Sequence, residues 1–187
     1  DMDHRGGLSG VLGQVEIGRI MSGEPQRLEV DAELCRAGHA WSWDGVDFRM
    51  LHPQEHGKWS GNNSSCVLQL EVAGRRVLLP GDIHAEAERY LVAKTPDMLK
   101  ADLVLIPHHG SKSSSSPDFT QAVSPRYAIT SAGYRNRYGF PHGDVVARWR
   151  AVGAETLNTA ELGAIEVNIG ADGTISTPVN SRRRLKR

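Results

Sequence analysis

The chain has 187 residues, enough for about one ordinary domain with a core of its own. Lys and Arg number 22 against 22 Asp and Glu, charged residues make up 24% and apolar ones 39%, a balance that excludes a disordered or fibrous polypeptide. No apolar run approaches the roughly 18 residues that span a bilayer, and no basic segment followed by an apolar one opens the sequence, so the stretch reads as a soluble domain without a signal peptide.

The zero net charge hides an asymmetry. Arg182, Arg183, Arg184, Lys186 and Arg187 fall within the last six positions, which leaves 17 basic residues against 22 acidic ones elsewhere, a net of −5. A body this acidic binds nucleic acid poorly on charge alone unless bound cations supply the positive charge. Residues 1–180 form the expected domain, and 181–187 a basic tail expected to be disordered, although its charge also suits phosphate or acidic lipid. Two cysteines, Cys35 and Cys66, are too few for a disulfide scaffold and lack the spacing of a zinc knuckle. One bridge and two free thiols both remain open.

In chain order the pattern predicts strands at 15–20, 46–51, 66–72 and 76–79, with Ala73-Gly74 as the hairpin turn between the last two. A helix rich in Ala, Glu and Leu follows at 84–93. Strands return at 103–107 and 127–130, then a helix at 144–152, where Asp144 suits a cap and Val145, Trp149 and Val152 fall at helical spacing. A strand at 164–169 closes the series. Such alternation predicts an α/β domain.

Ionisable residues gather just after strands, where α/β folds expose their sites. Asp1, Asp3 and His4, followed by Gly6-Gly7, put two carboxylates and an imidazole within four positions, a mixed oxygen and nitrogen set that suits Zn²⁺ or Mn²⁺. A frayed acidic terminus is the plainer alternative. Asp82, after Pro80-Gly81 and before a helix, is placed either to cap that helix or to point outward as a ligand. His108-His109-Gly110-Ser111 ends a strand. On extended chain neighbouring side chains point apart, so one imidazole is expected to bind metal and the other to meet a ligand or substrate. Ser111 and Lys112 suit an anion. The run Asn136-Arg137-Tyr138-Gly139-Phe140-Pro141-His142 reads as a substrate edge, with a solvated loop leading into a helix as its alternative. His39, His52, His56 and His84 read as structural.

The order Asp-x-Asp-His-x-Gly-Gly, Gly81-Asp82, then His-His-Gly-Ser resembles the metallo-β-lactamase fold, and more specifically the ComEC family of DNA-internalisation competence proteins. Residues 43–46, 51–53, 62–68, 108–116 and 136–142 are similar to that family's pattern, and the likeness runs from Asp1 to about Ile169. The resemblance implies an αββα sandwich, here lacking its first strands. It further implies a His-x-Asp-x-Asp-His motif in which Asp1 replaces the fold's second His, with the first His two positions earlier and outside this chain. Asp3 and His4 then match the fold's Asp-His pair, Asp82 its metal-bridging carboxylate and His108 its last His. Asn62-Asn63 falls where the fold's central His stands, and an Asn there weakens one metal position or favours a harder ion such as Mn²⁺.

The reading that follows is a metal-dependent phosphodiesterase, a DNA nuclease, with two divalent ions, Mn or Zn, held by Asp1, Asp3, His4, Asp82 and His108. Two ions would add about +4 to the −5 body and make a local phosphate site. Asp3 would be the general base, His109 or His142 would protonate the leaving oxygen, and Ser111, Lys112, Asn136 and Arg137 would bind substrate. The resemblance implies a soluble domain attached to the bacterial inner membrane, with DNA and the channel portion of the parent protein as partners and no small-molecule cofactor. Rival readings are a non-catalytic metal- and DNA-binding module of the channel, and a hydrolase of another substrate on the same fold.

Overall fold

Short runs rich in Leu, Val and Ile pair side by side into one seven-stranded sheet in the computed structural model, which describes residues 2–54, 58–176 and 178–181, with backbone alone at 2, 3, 180 and 181. The strands are β1 (Ala40–Trp43), β2 (Val46–His52), β3 (Val67–Val72), β4 (Arg75–Leu79), β5 (Leu103–Leu105), β6 (Tyr127–Thr130) and β7 (Glu155–Asn158), and they lie in chain order across the sheet. Neighbours from β1 to β4 are antiparallel; turns at Asp44-Gly45 and Ala73-Gly74 join β1 to β2 and β3 to β4, and the longer segment 53–66 joins β2 to β3. From β4 to β7 the pairing is parallel, and each crossover carries a helix: α1 (Ala85–Lys94), α2 (Pro117–Val123) and α3 (Gly143–Ala151). The α/β class read from the alternation is the class observed.

Period-2 alternation decides which residues face the helices. Leu78, Val104 and Ala128 belong to the main core with Ile83, Leu91, Phe119, Val123, Val145 and Trp149. Their neighbours Val77, Leu103, Leu105, Tyr127 and Ile129 turn to the other face, which Ile165, Val167 and Ile175 cover. Each large side chain fully withdrawn from water contributes about 1.5–3 kcal/mol, so the helix face supplies most of the stabilisation. Among the described residues, the second face carries no sheet of comparable size, only the pair Ala164–Glu166 with Val179–Ser181.

Residues 15–20 form no strand. Val15 stays 55% exposed, and the first pairing is the short parallel contact of Met21–Ser22 with Glu33–Leu34. Alternating apolar residues make a strand only where a neighbouring edge accepts their backbone groups, and here that edge reaches only the end of the segment, where the Ile20 carbonyl accepts the Glu33 N–H at 2.9 Å. The strand predicted at 164–169 is cut to Ala164–Glu166. Asp144 sits in the first turn of α3 and His142 occupies the cap position. The open choice at the cysteines resolves into a Cys35–Cys66 disulfide, which ties the segment before β1 to the start of β3. Among the described residues no helix is long and apolar enough to cross a membrane. Asp1, His56 and the basic residues 182–187 lie outside the described residues.

Candidate metal centre

The loops after β4, β5 and β6 leave the carboxyl edge of the parallel half of the sheet together. Gly81 turns the first of them with φ of 60°, and a Cβ at this position would stand 2.8 Å from Ser65 Cβ. Only glycine accepts both the left-handed backbone and that approach. The turn presents Asp82, whose N–H donates to Ser65 Oγ at 3.1 Å and which is 6% exposed. Asp82 does not cap α1: the cap position is His84, whose N–H donates to Asn63 Oδ1 at 2.9 Å.

His4, on the short helix Met2–Arg5, brings Nε2 to 3.0 Å from Asp82 Oδ2. His109 places Nε2 at 3.8 Å from Asp82 Oδ1, and its Nδ1 lies 2.7 Å from the Ser131 carbonyl. A carbonyl only accepts, so Nδ1 carries a proton. In the neutral ring Nε2 is then a lone pair facing a carboxylate oxygen, an arrangement that a cation reconciles. His4, Asp82 and His109 each offer a ligand atom within 4.8 Å of the others, a nitrogen, oxygen and nitrogen set that fits a divalent ion such as Zn²⁺ or Mn²⁺.

The adjacent imidazoles therefore take different places from those read in the sequence. His109 joins Asp82 and His4, whereas the His108 ring stacks on His84 at 4.9 Å and 14°. The two backbones are not extended. Both carry positive φ, 48° and 54°, inside a turn over Pro107–Gly110, so the opposed-neighbour rule of a strand does not govern them. His84 Nε2 and His108 Nδ1 are 3.1 Å apart, and Asn62 Nδ2 lies 3.2 Å from His84 Nε2 and 3.4 Å from His108 Nε2. His84, read as structural, is thus part of a second polar group. The available signal was its place two residues after Asp82, at a helix start.

Asp82 borders two cavities. One of about 440 Å³ includes His4, Gly23, Asn62 and Cys66 in its wall. The other, about 850 Å³, is walled by His108, His109, Asn136, Arg137, Tyr138 and Phe140 among others. Asn136 spends its side chain on the loop itself, accepting the Phe140 N–H at 2.9 Å and donating to the Gly133 and Phe140 carbonyls. Arg137 is exposed and donates to Tyr138 Oη at 2.7 Å. Ser111, Lys112 and His142 are not in that wall; Lys112 is exposed, and the His142 ring meets the edge of Phe140 at 5.5 Å. Asp1 and the Asp3 side chain lie outside the described residues. His52 is fully buried, with Nε2 on the Asn63 carbonyl at 2.7 Å, and burial holds its pKa below the ordinary value of 6.5.

Competence protein ComA of Neisseria gonorrhoeae is 40% identical over 173 residues, 92% of this chain and 25% of that protein. Recombination protein 2 of Haemophilus influenzae is 34% identical over 173 residues, again 92% of this chain and 22% of that protein. ComE operon protein 3 of Bacillus subtilis is 35% identical over 137 residues, 73% and 18%. The chain thus spans about a fifth to a quarter of the length of these relatives, and the resemblance to the ComEC family is borne out. A solved structure described as a putative Zn-dependent hydrolase of the metallo-beta-lactamase superfamily, from Thermotoga maritima, is similar at 11% identity and a TM-score of 0.39, covering 76% of this chain and 84% of that one. The sequence profile of the Metallo-beta-lactamase superfamily matches residues 1–134, and the chain, with its imidazoles and carboxylate gathered at the sheet edge, belongs to that superfamily.

Proposed function

We propose that this domain is a metal-dependent phosphodiesterase that acts on DNA during competence DNA uptake. The observation that carries the reading is the convergence of His4, Asp82 and His109 where two cavities meet at Asp82, one of them lined by His109 and Arg137. Those three residues would hold one divalent ion, and Asp1 and Asp3, on the segment that carries His4, complete the proposed set. Asn62, His84 and His108 border the second proposed position, where an amide beside two imidazoles makes a weaker site than three imidazoles would. Bound metal supplies a hydroxide nucleophile at neutral pH and polarises the phosphate.

The chain's own groups do the rest. Asp82 turns one oxygen to His4 and the other to His109, and the Ser131 carbonyl fixes the ring of His109. Asp3 orients the attacking water as general base. With His109 assigned to the first metal position and His84 and His108 to the second, His142, whose ring meets the edge of Phe140 of the same loop, is the imidazole left to protonate the leaving oxygen. Arg137, Lys112 and Ser111 meet flanking phosphates along the path of the strand. The channel portion of the longer protein and the bacterial inner membrane are the proposed setting.

A second reading, a metal- and DNA-binding module that does not cut, draws on Asn62, whose amide lies against both imidazoles of the second position. Release of nucleotides from end-labelled single- and double-stranded DNA, in Mn²⁺, Zn²⁺ or chelator, separates the two. Cleavage that needs metal and is lost in Asp82→Ala supports the phosphodiesterase; intact DNA from folded, metal-loaded protein supports the non-catalytic module.

A further inference from the structure

The loop between β6 and α3 carries more aromatic surface than a helix connection needs. Tyr138 is 58% exposed and Tyr134 68%. Folding normally withdraws such rings from water, and neither contributes to either apolar core. Each has a guanidinium over it, Arg137 4.9 Å from the Tyr138 centroid and Arg135 5.2 Å from that of Tyr134.

The rings also form a series that begins at the candidate metal ligand. His109 stacks on Phe140 at 6.4 Å and 25°, and Phe140 stacks on Tyr138 at 5.4 Å and 20°. Three near-parallel rings thus step outward from the carboxylate side of the cleft to solvent. Phe140 is held in that series by Asn136, which bonds both its N–H and its carbonyl. His109, Phe140, Tyr138 and Arg137 all border the cleft of about 850 Å³, within the size range of small-ligand sites.

We infer that Tyr138 and Phe140 form a stacking wall for an unpaired base of a single-stranded nucleic acid, with Arg137 turning from the Tyr138 hydroxyl to a phosphate of the same strand. The inference rests on the phosphodiesterase reading, which sets a phosphate beside Asp82, and narrows its substrate to strands with splayed bases. In a duplex each base face is covered by its neighbours, so a protein ring meets only a base that has left the stack. Stacking needs no particular base, because each has a π face, and the guanidiniums add the local positive charge that a body of net −5 lacks.

The test is fluorescence anisotropy of the 187-residue chain with a labelled thymidine dodecamer, its duplex, and an abasic strand of equal length, at one fixed salt concentration with Ca²⁺ and again in chelator. Wild type is expected to bind the thymidine strand about 5- to 150-fold more tightly than the abasic strand, the span measured for one stacked base. Tyr138→Ala closes that gap, Tyr138→Phe keeps it, and the duplex binds like the abasic strand. Equal binding of thymidine and abasic strands by wild type, a Tyr138→Ala loss of equal size on both, or no measurable binding of either overturns the stacking wall. DNA cut without any base-dependent binding overturns the wall and leaves the phosphodiesterase; base-dependent binding without metal-dependent cleavage does the reverse.

Discussion

Glu88 ties the core to the metal centre, and its removal has a calculable consequence. This fully buried carboxylate on α1 accepts the N–H groups of both Ser115 and Ser116, the latter at 2.7 Å. Arg148 of α3 holds the same segment from its other side, donating to the carbonyls of Ser114 and Ser115. One residue earlier Ser113 accepts the Ala85 N–H with its carbonyl at 2.9 Å, and its Oγ stands 3.2 Å from His108 Nδ1. Glu88→Ala leaves two buried N–H groups without their acceptor at about 1–3 kcal/mol each, so about 2–6 kcal/mol is expected from a total of about 5–15. Glu88→Gln keeps one acceptor oxygen but sets an NH₂ against an N–H, and about 1–3 kcal/mol is expected. Urea unfolding should rank wild type above Gln above Ala with an unchanged m-value. The pH dependence has a definite sign. Burial, the largest influence, pushes the Glu88 pKa up against the bonds from Ser116 and Ser115 and the charge of Arg148. Above the unfolded value of 4.5 the unfolded chain has released a proton that the folded chain still holds, so wild-type stability falls as pH rises toward the folded-state value. The gap between wild type and Glu88→Gln should therefore narrow over that window. A Glu88→Ala protein within about 1 kcal/mol of wild type, or a gap that widens with pH, would refute the clamp.

Other expectations follow from the same geometry. The Cys35–Cys66 bridge closes a loop of sequence separation 31, so chain entropy assigns it about 3–4 kcal/mol, measured as the loss in unfolding free energy of Cys35→Ser/Cys66→Ser; a change below about 1 kcal/mol contradicts that. His109→Ala should lose the ion held with Asp82 and His4, while His108→Ala keeps that ion, as counted by metal content after dialysis; the reverse order would put His108 in place of His109 beside Asp82 and His4. His52→Ala should lower the urea midpoint yet retain metal, because His52 bonds Gln54 and the Asn63 carbonyl inside the fold. Burial keeps the folded-state His52 neutral below 6.5, where the unfolded ring takes up a proton, so its contribution weakens as pH falls below that value, and acid titration of wild type beside His52→Ala reads the difference.

The strands at 46–51, 66–72, 76–79, 103–107 and 127–130 were legible as short apolar runs, the imprint of a sheet covered on both faces, as at Leu103-Val104-Leu105, whose members divide between the two cores; Glu155–Asn158, more polar, was not read as a strand. At 15–20 apolar alternation misled, since a pattern of side chains says nothing about whether a partner edge is present. Asp82 was legible through Pro80-Gly81, a turn that side-chain chemistry alone would not demand. The grouping of His84 with Asn62 and His108 was not, because those partners lie 22 and 24 residues away along the chain.

The division of labour between His108 and His109 shows why adjacent residues of one type are hard to assign from sequence. On a strand their directions would follow from parity, but here both sit at left-handed φ, at about 1–3 kcal/mol of strain each. The surroundings hold them there. The His108 N–H donates to the Gly81 carbonyl at 3.1 Å, the Ser111 N–H to the His108 carbonyl at 2.9 Å, and the Ser114 hydroxyl to the Pro107 carbonyl at 2.9 Å. Gly110, φ 84°, lies so near Pro141 that a Cβ would come within 2.4 Å of Pro141 Cβ, and its carbonyl accepts the His142 N–H at 3.0 Å. The imidazole turn is therefore fastened to the Asp82 loop on one side and to the aromatic loop on the other. Side-chain directions at the centre follow from those two attachments, and both are made by backbone groups that no residue-type motif records.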